Sequence, residues 1–217
     1  MVIDLKTLYG AEATEQQKRY EELSAYFAEE FGDANALSYF SAPGRTEVGG
    51  NHTDHNNGKV LAAAVNLDVI AAVKKTENGV IRLKSVGFPM DTVDTADLNV
   101  QEAEKERSAS LIRGVCARLK ALGYEVGGFD AVTTSRVLKG SGLSSSAAFE
   151  VLVVTILSHL YNDDAIDPVE AAQISKFAEN VYFGKPSGLM DQAASALGGL
   201  VTIDFRKADP KVENVDF

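Results

Sequence analysis

The first segment of the chain has the apolar spacing of a helix that lies against a core. Its apolar residues recur three or four positions apart, at Tyr20, Leu23, Phe27 and Phe31. Polar and charged residues fill most of the positions between them, and Gly32 with Asp33 follows directly. This pattern predicts a helix over 12–31 that buries one face and ends at Gly32.

Shorter runs rich in apolar and β-branched residues follow the helix and predict strands. These runs cover residues 37–40, 59–66, 69–75 and 80–86. Asn78-Gly79 stands between the last two runs, and this dipeptide is a strong signal for a tight hairpin turn. We therefore expect the first half of the chain to form mainly antiparallel sheet, with a hairpin at Asn78-Gly79.

The second half of the chain alternates between helical and strand-like patterns. The spacing predicts a helix over 106–122 that ends at Gly123, and a strand over 129–138. The run 147–157 is apolar almost throughout and lacks the polar stripe of a surface helix. It therefore indicates a helix that is buried on all sides.

A further helix start is marked by Asp167, Pro168 and Glu170, which supply an N-cap, a first-turn proline and a capping-box acid. The helical pattern continues to about Val181. No repeat, low-complexity tract or linker interrupts the chain. The elements together predict a mixed α/β fold without an internal boundary.

Composition and charge exclude several classes of protein. The 217 residues are 45% hydrophobic and 24% charged, so the chain can bury a core without disulfides. The net charge of −10 and the pI near 4.8, without basic runs, argue against a nucleic-acid or anionic-membrane partner. The single cysteine, Cys116, has helical spacing to apolar residues and is expected to be buried. Without a basic-apolar leader or an apolar run of spanning length, we expect a cytoplasmic protein.

Candidate chemistry begins at a loop rich in glycine and serine, KGSGLSSSAA, directly before the apolar run. Backbone N–H groups in such a loop can approach an anion closely, and a helix start carries a partial positive charge. One serine would serve as an ordinary N-cap. The loop instead combines Gly140 and Gly142 with Ser141, Ser144, Ser145 and Ser146. This excess of donors favours a phosphate loop.

Nucleotide-binding loops of other classes are alternatives to this interpretation. The loop has no GxxxxGK[ST] pattern, and GSGLSS lacks the third glycine of GxGxxG. Asp163 and Asp164 lie about 20 residues further on, where a dinucleotide-binding fold places its ribose-binding acid. The segment before them is too long and too uniformly apolar for that fold. A dinucleotide-dependent oxidoreductase is therefore the weaker alternative.

A second polar cluster lies between predicted strands, in SAPGRTEVGGNHTDHNNGKVLAAAVN. It contains Arg45, Glu47, Asn51, His52, Asp54, His55 and Asn56. A solvated turn is one interpretation, because Asn, Asp and Gly favour turns for local reasons. The variety of hydrogen-bonding groups favours a polyol such as a sugar, whose hydroxyls all need partners in a buried site. A metal site on the two histidines is a further alternative, although no Cys or third His joins them.

Two carboxylates frame the last candidate stretch, AENVYFGKPSGLMDQ. Glu179 and Asp191 are separated by GKPSG, so one can lie on a helix and the other at the start of the next. Taken singly, each is most simply a solvated surface residue. Beside a phosphate loop, one suits Mg²⁺ ligation and the other suits orientation or deprotonation of a hydroxyl.

Together, the three stretches resemble the GHMP kinase family and, within it, the galactokinases. GRTEVGGNHTDHNNG is similar to the family signature GRxNxxGEHTDYxxG, KGSGLSSSAA to the phosphate loop, and GLMDQ to the segment with the catalytic aspartate. Their order and spacing agree from Ser41 to Phe205, which is most of the chain. The resemblance implies ATP-dependent phosphorylation of the C1 hydroxyl of galactose, with Mg²⁺.

The resemblance also implies a fold and a role for particular residues. The fold is the α+β type of ribosomal protein S5 domain 2, formed by residues 1–217 as an N-terminal domain. Asp191 would face the sugar hydroxyl as base or orienting group, and Arg45 would stabilise charge beside it. The implied sugar contacts are Asn51, His52, Asp54 and Gly188. The implied phosphate contacts are Gly140, Ser141, Gly142, Leu143, Ser144, Ser145 and Ser146. The implied Mg²⁺ ligands are Ser146 and Glu179.

Departures from the family pattern leave alternatives open. Asn51 replaces the signature glutamate and His55 its tyrosine. Because the glutamate contacts outer hydroxyls of the sugar, galacturonate, arabinose or an amino sugar is an alternative substrate. A sensor that binds galactose and ATP without turnover is another, although the retained Arg45 and Asp191 favour an enzyme. The family's third glycine motif and its C-terminal ferredoxin-like domain are absent from this chain, so we expect negligible activity from it alone.

Overall fold

The computed structural model describes residues 4–50, 57–138, 140–207 and 210–215. The helices are α1 (Leu5–Tyr9), α2 (Ala13–Phe31), α3 (Ser108–Ala121), α4 (Ser145–Tyr161), α5 (Pro168–Phe177) and α6 (Met190–Leu197). The strands are β1 (Ser38–Gly49), β2 (Lys59–Thr76), β3 (Val80–Ser85), β4 (Met90–Asp94), β5 (Gly128–Ser135), β6 (Leu200–Asp204) and β7 (Lys211–Asn214). Short 3₁₀ turns cover Gly10–Glu12 and Glu102–Glu104, and a π-helical turn covers Ala178–Phe183.

A mixed sheet of seven strands organises the chain. Its order is β4-β3-β5-β2-β6-β7, with β1 paired to β2. The first part of β2 pairs with β6 and the second part with β5, while β1 runs along the other edge of β2. The described pairs are antiparallel except for β3 and β5, which are parallel. The structure therefore confirms the mixed α/β fold and a first half that is mainly antiparallel.

The prediction of a β-hairpin at Asn78-Gly79 is wrong. The strands on either side of it, β2 and β3, do not pair, because β5 lies between them. The dipeptide forms only a local turn, in which Gly79 has a φ of 69° and Asn78 Oδ1 accepts from Val80 N at 3.0 Å. A Cβ on Gly128, at the start of β5, would lie 2.7 Å from Thr76 Oγ1 and 2.8 Å from Asn78 Oδ1. Glycine at this position therefore lets β5 enter beside the turn.

β2 joins the two predicted strands 59–66 and 69–75 into one. The residue that separated them in the sequence pattern, Asp68, is only 4% exposed and stays within the strand. Its carboxylate accepts hydrogen bonds from Arg19 Nη1 at 2.8 Å and Ser41 Oγ at 2.7 Å. These bonds satisfy a polar side chain that would otherwise favour a turn.

β1 extends beyond the predicted 37–40 as far as Gly49 and so carries Arg45 into the sheet. Pro43 lies within this strand, as an edge strand permits. The register with β2 shifts between Pro43 and Arg45, which marks a β-bulge or a similar irregularity. Bulges re-aim side chains, and the shift falls immediately before Arg45.

Helices cover both faces of the sheet, because alternate residues of β2 point in opposite directions. On one side, Ile70 and Ala72 pack with Leu23 and Phe27 of α2. On the other side, Ala71 belongs to the large core formed with α3, α4 and α5. The second part of β2 is therefore buried on both faces, which explains its unbroken apolar run.

α4 is the buried helix that the apolar run 147–157 predicted. All residues of this run are buried except Phe149, which is half-buried, and Thr155, which is exposed. α3 matches the helix predicted over 106–122, and its Cys116 is fully buried, which raises the pKa of the thiol to about 12. Among the described residues, no helix combines the length and apolar character needed to cross a membrane.

The helix predicted from Asp167 to about Val181 changes its geometry before its end. Asp167 caps α5 as expected, since Asp167 Oδ1 accepts from Val169 N at 2.8 Å. The α-helix ends at Phe177, and the chain continues as the π-helical turn over Ala178–Phe183. Such turns are frequent at functional sites, and this one carries Glu179.

Candidate active site

The candidate stretches of the sequence meet at the N-terminal end of α4. β1 contributes Arg45, the loop before α4 contributes residues 140–144, and the first turn of α6 contributes Asp191. Arg45 and Asp191 lie 146 positions apart in the chain, so only the tertiary fold brings them together.

Arg45 and Asp191 form a bidentate ion pair. Arg45 Nε donates to Asp191 Oδ1 at 2.6 Å and Arg45 Nη2 donates to Asp191 Oδ2 at 2.7 Å. The third guanidinium nitrogen, Nη1, donates to the carbonyl oxygen of Gly142 at 2.6 Å. The side chain of Arg45 is 9% exposed and that of Asp191 is 24% exposed, so the carboxylate is fixed in orientation but still reaches the surface. This is the geometry of an oriented, accessible carboxylate.

The glycine and serine loop adopts left-handed backbone angles, and none of the described side chains caps the start of α4. Gly140, Gly142 and Ser144 have positive φ values of 80°, 77° and 59°. Ser144 is the N-cap residue of α4, but its hydroxyl donates to Asp191 Oδ2 at 2.5 Å and does not cap the helix. No side chain in the described part of the chain therefore caps the first N–H groups of this helix. An anion is the ligand that such groups bind best.

Gly44 allows the loop to lie directly on β1. Arg45 N donates to the carbonyl oxygen of Leu143 at 3.0 Å. A Cβ on Gly44 would lie 2.9 Å from that oxygen and 3.0 Å from Val137 Cγ1. A larger residue would therefore push the loop away from the strand that carries Arg45.

We expect Gly44→Ala to lower the free energy of unfolding by about 1–3 kcal/mol, the usual cost of overpacking. Gly49→Ala is the matched control on the same strand, because a Cβ there meets nothing within 4 Å among the described residues. Urea unfolding of both variants measures the difference. Equal stability of the two variants would contradict the close approach of loop and strand.

Glu179 forms a second polar centre beside the first. Its Oε1 accepts from Ser146 Oγ and from Lys185 Nζ, each at 2.9 Å, and its Oε2 accepts from Gln192 Nε2 at 2.8 Å. Gln192 follows Asp191 on α6, so the two centres are adjacent. Glu179 is 1% exposed, which makes it a buried carboxylate held by three donors.

Behind this centre lies a polar group that the sequence pattern did not single out. Glu150 is fully buried in α4, and Gln192 Nε2 is 3.3 Å from its Oε2. Burial first, and the nearby charge of Glu179 second, raise the pKa of Glu150 well above its ordinary value. The sequence feature that could have identified Glu150 is its position as the one carboxylate inside an otherwise apolar run, four positions after Ser146.

The remaining candidates are placed as follows. Ser145 begins α4, Ser141 Oγ donates to Leu138 O at 2.7 Å, and Gly188 is half-buried in the segment that precedes α6. The candidate sugar contacts Asn51, His52 and Asp54 lie outside the described residues. The sequence interpretation missed Gln192, Lys185 and Glu150 as members of the site.

Two family models match the chain in order. The galactokinase galactose-binding signature matches residues 25–75, and the GHMP kinases N terminal domain matches residues 110–199. Arg45 falls within the first match, whereas the glycine and serine loop, Glu179 and Asp191 fall within the second. Together, the two matches therefore cover the elements that form the site.

Known relatives show the same likeness over most of the chain. Galactokinase of Clostridium tetani is 33% identical over 82% of this chain and 45% of its own length. The crystal structure of Lactococcus lactis galactokinase complexed with galactose superposes with a TM-score of 0.83 at 30% identity, covering 91% of this chain and 52% of that one. Methanococcus jannaschii mevalonate kinase, at 18% identity and a TM-score of 0.69 over 84% of this chain and 57% of that one, shares the fold. The chain thus spans about half the length of these relatives.

Proposed function

Because the chain belongs to the GHMP kinase family, we propose that it carries the N-terminal part of a galactokinase, which transfers the γ-phosphoryl group of ATP to the C1 hydroxyl of galactose. The observation that carries the proposal is Asp191, held by Arg45 and Ser144 directly beside the uncapped start of α4. One centre thus offers a carboxylate for a hydroxyl and backbone donors for a phosphate. Phosphoryl transfer depends mainly on such positioning and charge stabilisation.

Asp191 is the proposed base or orienting group for the sugar. Each of its oxygens already accepts from Arg45, and Ser144 adds a further bond at Oδ2, so the carboxylate cannot rotate away. The C1 oxygen forms its bond to the γ-phosphorus while the bond from that phosphorus to the β–γ bridging oxygen breaks and ADP leaves. The hydroxyl proton passes to Asp191 or to solvent. Arg45 stabilises negative charge on both Asp191 and the transferring group.

The phosphates are proposed to bind residues 140–146 at the start of α4. Gly140 and Gly142 let backbone N–H groups approach the phosphate oxygens, and the helix start favours their negative charge. The sugar contacts proposed from the resemblance are Gly188 with Asn51, His52 and Asp54.

Ser146 and Glu179 are the proposed protein ligands of Mg²⁺. Both are oxygen donors, and Ser146 Oγ already lies 2.9 Å from Glu179 Oε1. No group of three or more potential His, Cys, Asp or Glu ligands occurs in the described part of the chain. A pair of oxygens suits an ion that keeps water and phosphate oxygens as its other ligands, as Mg²⁺ does with nucleotides. When bound, the ion would neutralise charge on the phosphates.

The test is ADP production by the intact protein with a panel of sugars. We expect Mg²⁺-dependent turnover with galactose and formation of a sugar 1-phosphate, identified by ³¹P NMR. Galacturonate, arabinose and galactosamine belong in the panel because Asn51 stands at a sugar-facing position of the signature. Binding of galactose and ATP without ADP formation would favour a sensor and would refute the enzymatic proposal.

A further inference from the structure

We infer that Lys185 is a built-in counter-ion that holds Glu179 in the nucleotide-free protein and must release it before Mg²⁺ can bind there. Free Mg²⁺ then binds the nucleotide-free protein only weakly. The metal binds together with the nucleotide, whose phosphates offer Lys185 a new partner. This inference rests on the proposed function, because it assumes that Glu179 is a ligand of the metal.

The first support is the position of the ammonium group on the carboxylate. Lys185 Nζ and Ser146 Oγ both contact Oε1 of Glu179, whereas Oε2 is bound by Gln192. The Lys185 side chain is 57% exposed and that of Glu179 is 2% exposed. Oε1 is thus the oxygen that faces the accessible side, and it is the oxygen that a metal would share with Ser146. Lys185 occupies that approach.

The second support is the way the backbone presents Lys185. The N–H groups of Gly184 and Lys185 donate to the carbonyl oxygen of Glu179 at 3.0 and 3.1 Å. Two residues later, Asn180 Oδ1 accepts from Ser187 N at 2.7 Å. The segment is therefore fixed on both sides of Lys185, and only its flexible four-carbon side chain needs to move when a new partner arrives.

Electrostatics decide when that movement occurs. A lysine side chain is a cation at neutral pH. The ammonium group of Lys185, 2.9 Å from Glu179 Oε1, therefore repels a second cation that approaches the same oxygen. ATP brings several negative oxygens to the adjacent start of α4. Lys185 can then exchange Glu179 for a phosphate without losing an anionic partner.

The experiment measures binding of Mn²⁺ to the nucleotide-free protein by electron paramagnetic resonance, which counts the free ion. We expect Lys185→Met to bind the metal about tenfold more tightly than the native protein, equivalent to about 1.4 kcal/mol. Lys185→Arg retains the cation and should resemble the native protein. With ADP present, the advantage of Lys185→Met should disappear, because the native lysine has then moved to the phosphates.

Two further variants separate this inference from the proposed function. If Glu179→Gln weakens metal binding but Lys185→Met binds no more tightly than Lys185→Arg, the inference on Lys185 fails and the metal site stands. If Glu179→Gln leaves metal binding unchanged, Glu179 is not a ligand, and both proposals on this site fail. Lys185→Gln provides a second neutral variant, and circular dichroism melts show that each variant is folded before its metal affinity is compared.

Discussion

Asp191→Asn should lower kcat of the intact protein by about 10²–10⁴-fold, the usual contribution of a positioned proton acceptor. The asparagine side chain has almost the same shape, but its amide can neither carry the charge that Arg45 pairs with nor receive a proton. Its amide N–H group would also point toward Arg45 Nη2 or Ser144 Oγ. In the native protein these two groups donate to Asp191 Oδ2. The ATP affinity should change little, because we propose that Asp191 binds the sugar and not the nucleotide.

Asp130→Asn is a matched control for this substitution. Asp130 also forms a bidentate ion pair, with Arg82 Nε at 2.7 Å and Arg82 Nη2 at 2.5 Å, and it is buried more deeply than Asp191. Asp130 lies in β5 and is paired with β3, away from the start of α4. Its substitution should reduce stability without reducing kcat. Steady-state kinetics and urea unfolding of both variants distinguish loss of chemistry from loss of an ion pair, and native kcat in Asp191→Asn would refute the assigned role.

Elements that depend on a few neighbouring residues could be predicted from the sequence. α2 ends at Gly32 because glycine adopts the positive φ of 88° that follows the helix. α5 begins after Asp167 because the aspartate caps the second residue of the helix. These decisions involve contacts within three or four positions, so periodicity and capping residues contain the necessary information.

Strand pairing could not be predicted in the same way, because the deciding contact is distant in sequence. Asn78-Gly79 has the local signal of a hairpin, yet β5 separates the strands beside it. That insertion depends on Gly128, whose missing side chain makes room next to Thr76 and Asn78. A local turn signal cannot report what a later strand will occupy.

The candidate site likewise contains residues that the sequence motifs identified and residues that only tertiary contacts reveal. The motifs identified Arg45, the glycine and serine loop, Glu179 and Asp191 as candidates, and the structure brings these together. The residues behind them were missed because their spacing resembles ordinary core and loop sequence. Glu150 looks like one polar position in a buried helix, and only tertiary contacts show that Gln192 lies between Glu150 and Glu179.

The position of Gln192 between Glu150 and Glu179 predicts a large effect of its substitution on stability. Gln192→Glu should lower the free energy of unfolding at pH 8 by roughly 3–5 kcal/mol, the scale for an uncompensated buried charge. Gln192 is completely buried, and its Nε2 donates to Glu179 Oε2 at 2.8 Å. The substitution replaces this donor by a third carboxylate beside Glu179 and Glu150.

Glu150→Gln is the matched control, because it changes the same pair of residue types in the opposite direction. Glu150 Oε1 and Gln192 Oε1 are buried and lack hydrogen-bond partners among the described residues. A protonated Glu150, or a glutamine in its place, can act as a hydrogen-bond donor to Gln192 Oε1. We therefore expect Glu150→Gln to be nearly neutral at pH 5 and stabilising at pH 8, in contrast to Gln192→Glu.

The raised pKa of Glu150 determines how the stability of the native protein and of the two variants changes with pH. The pKa of Glu150 is raised by burial and by Glu179, with Asp191 adding to the rise and Lys185 opposing it. Between the ordinary carboxyl pKa and this raised value, the folded chain binds more protons than the unfolded chain, so stability falls as the pH rises, by up to about 1.4 kcal/mol per pH unit for one group. Glu150→Gln removes this slope and Gln192→Glu steepens it. Urea unfolding of the three proteins from pH 5 to pH 8 measures the slopes, and parallel curves would show that Glu150 does not hold a proton in the folded protein.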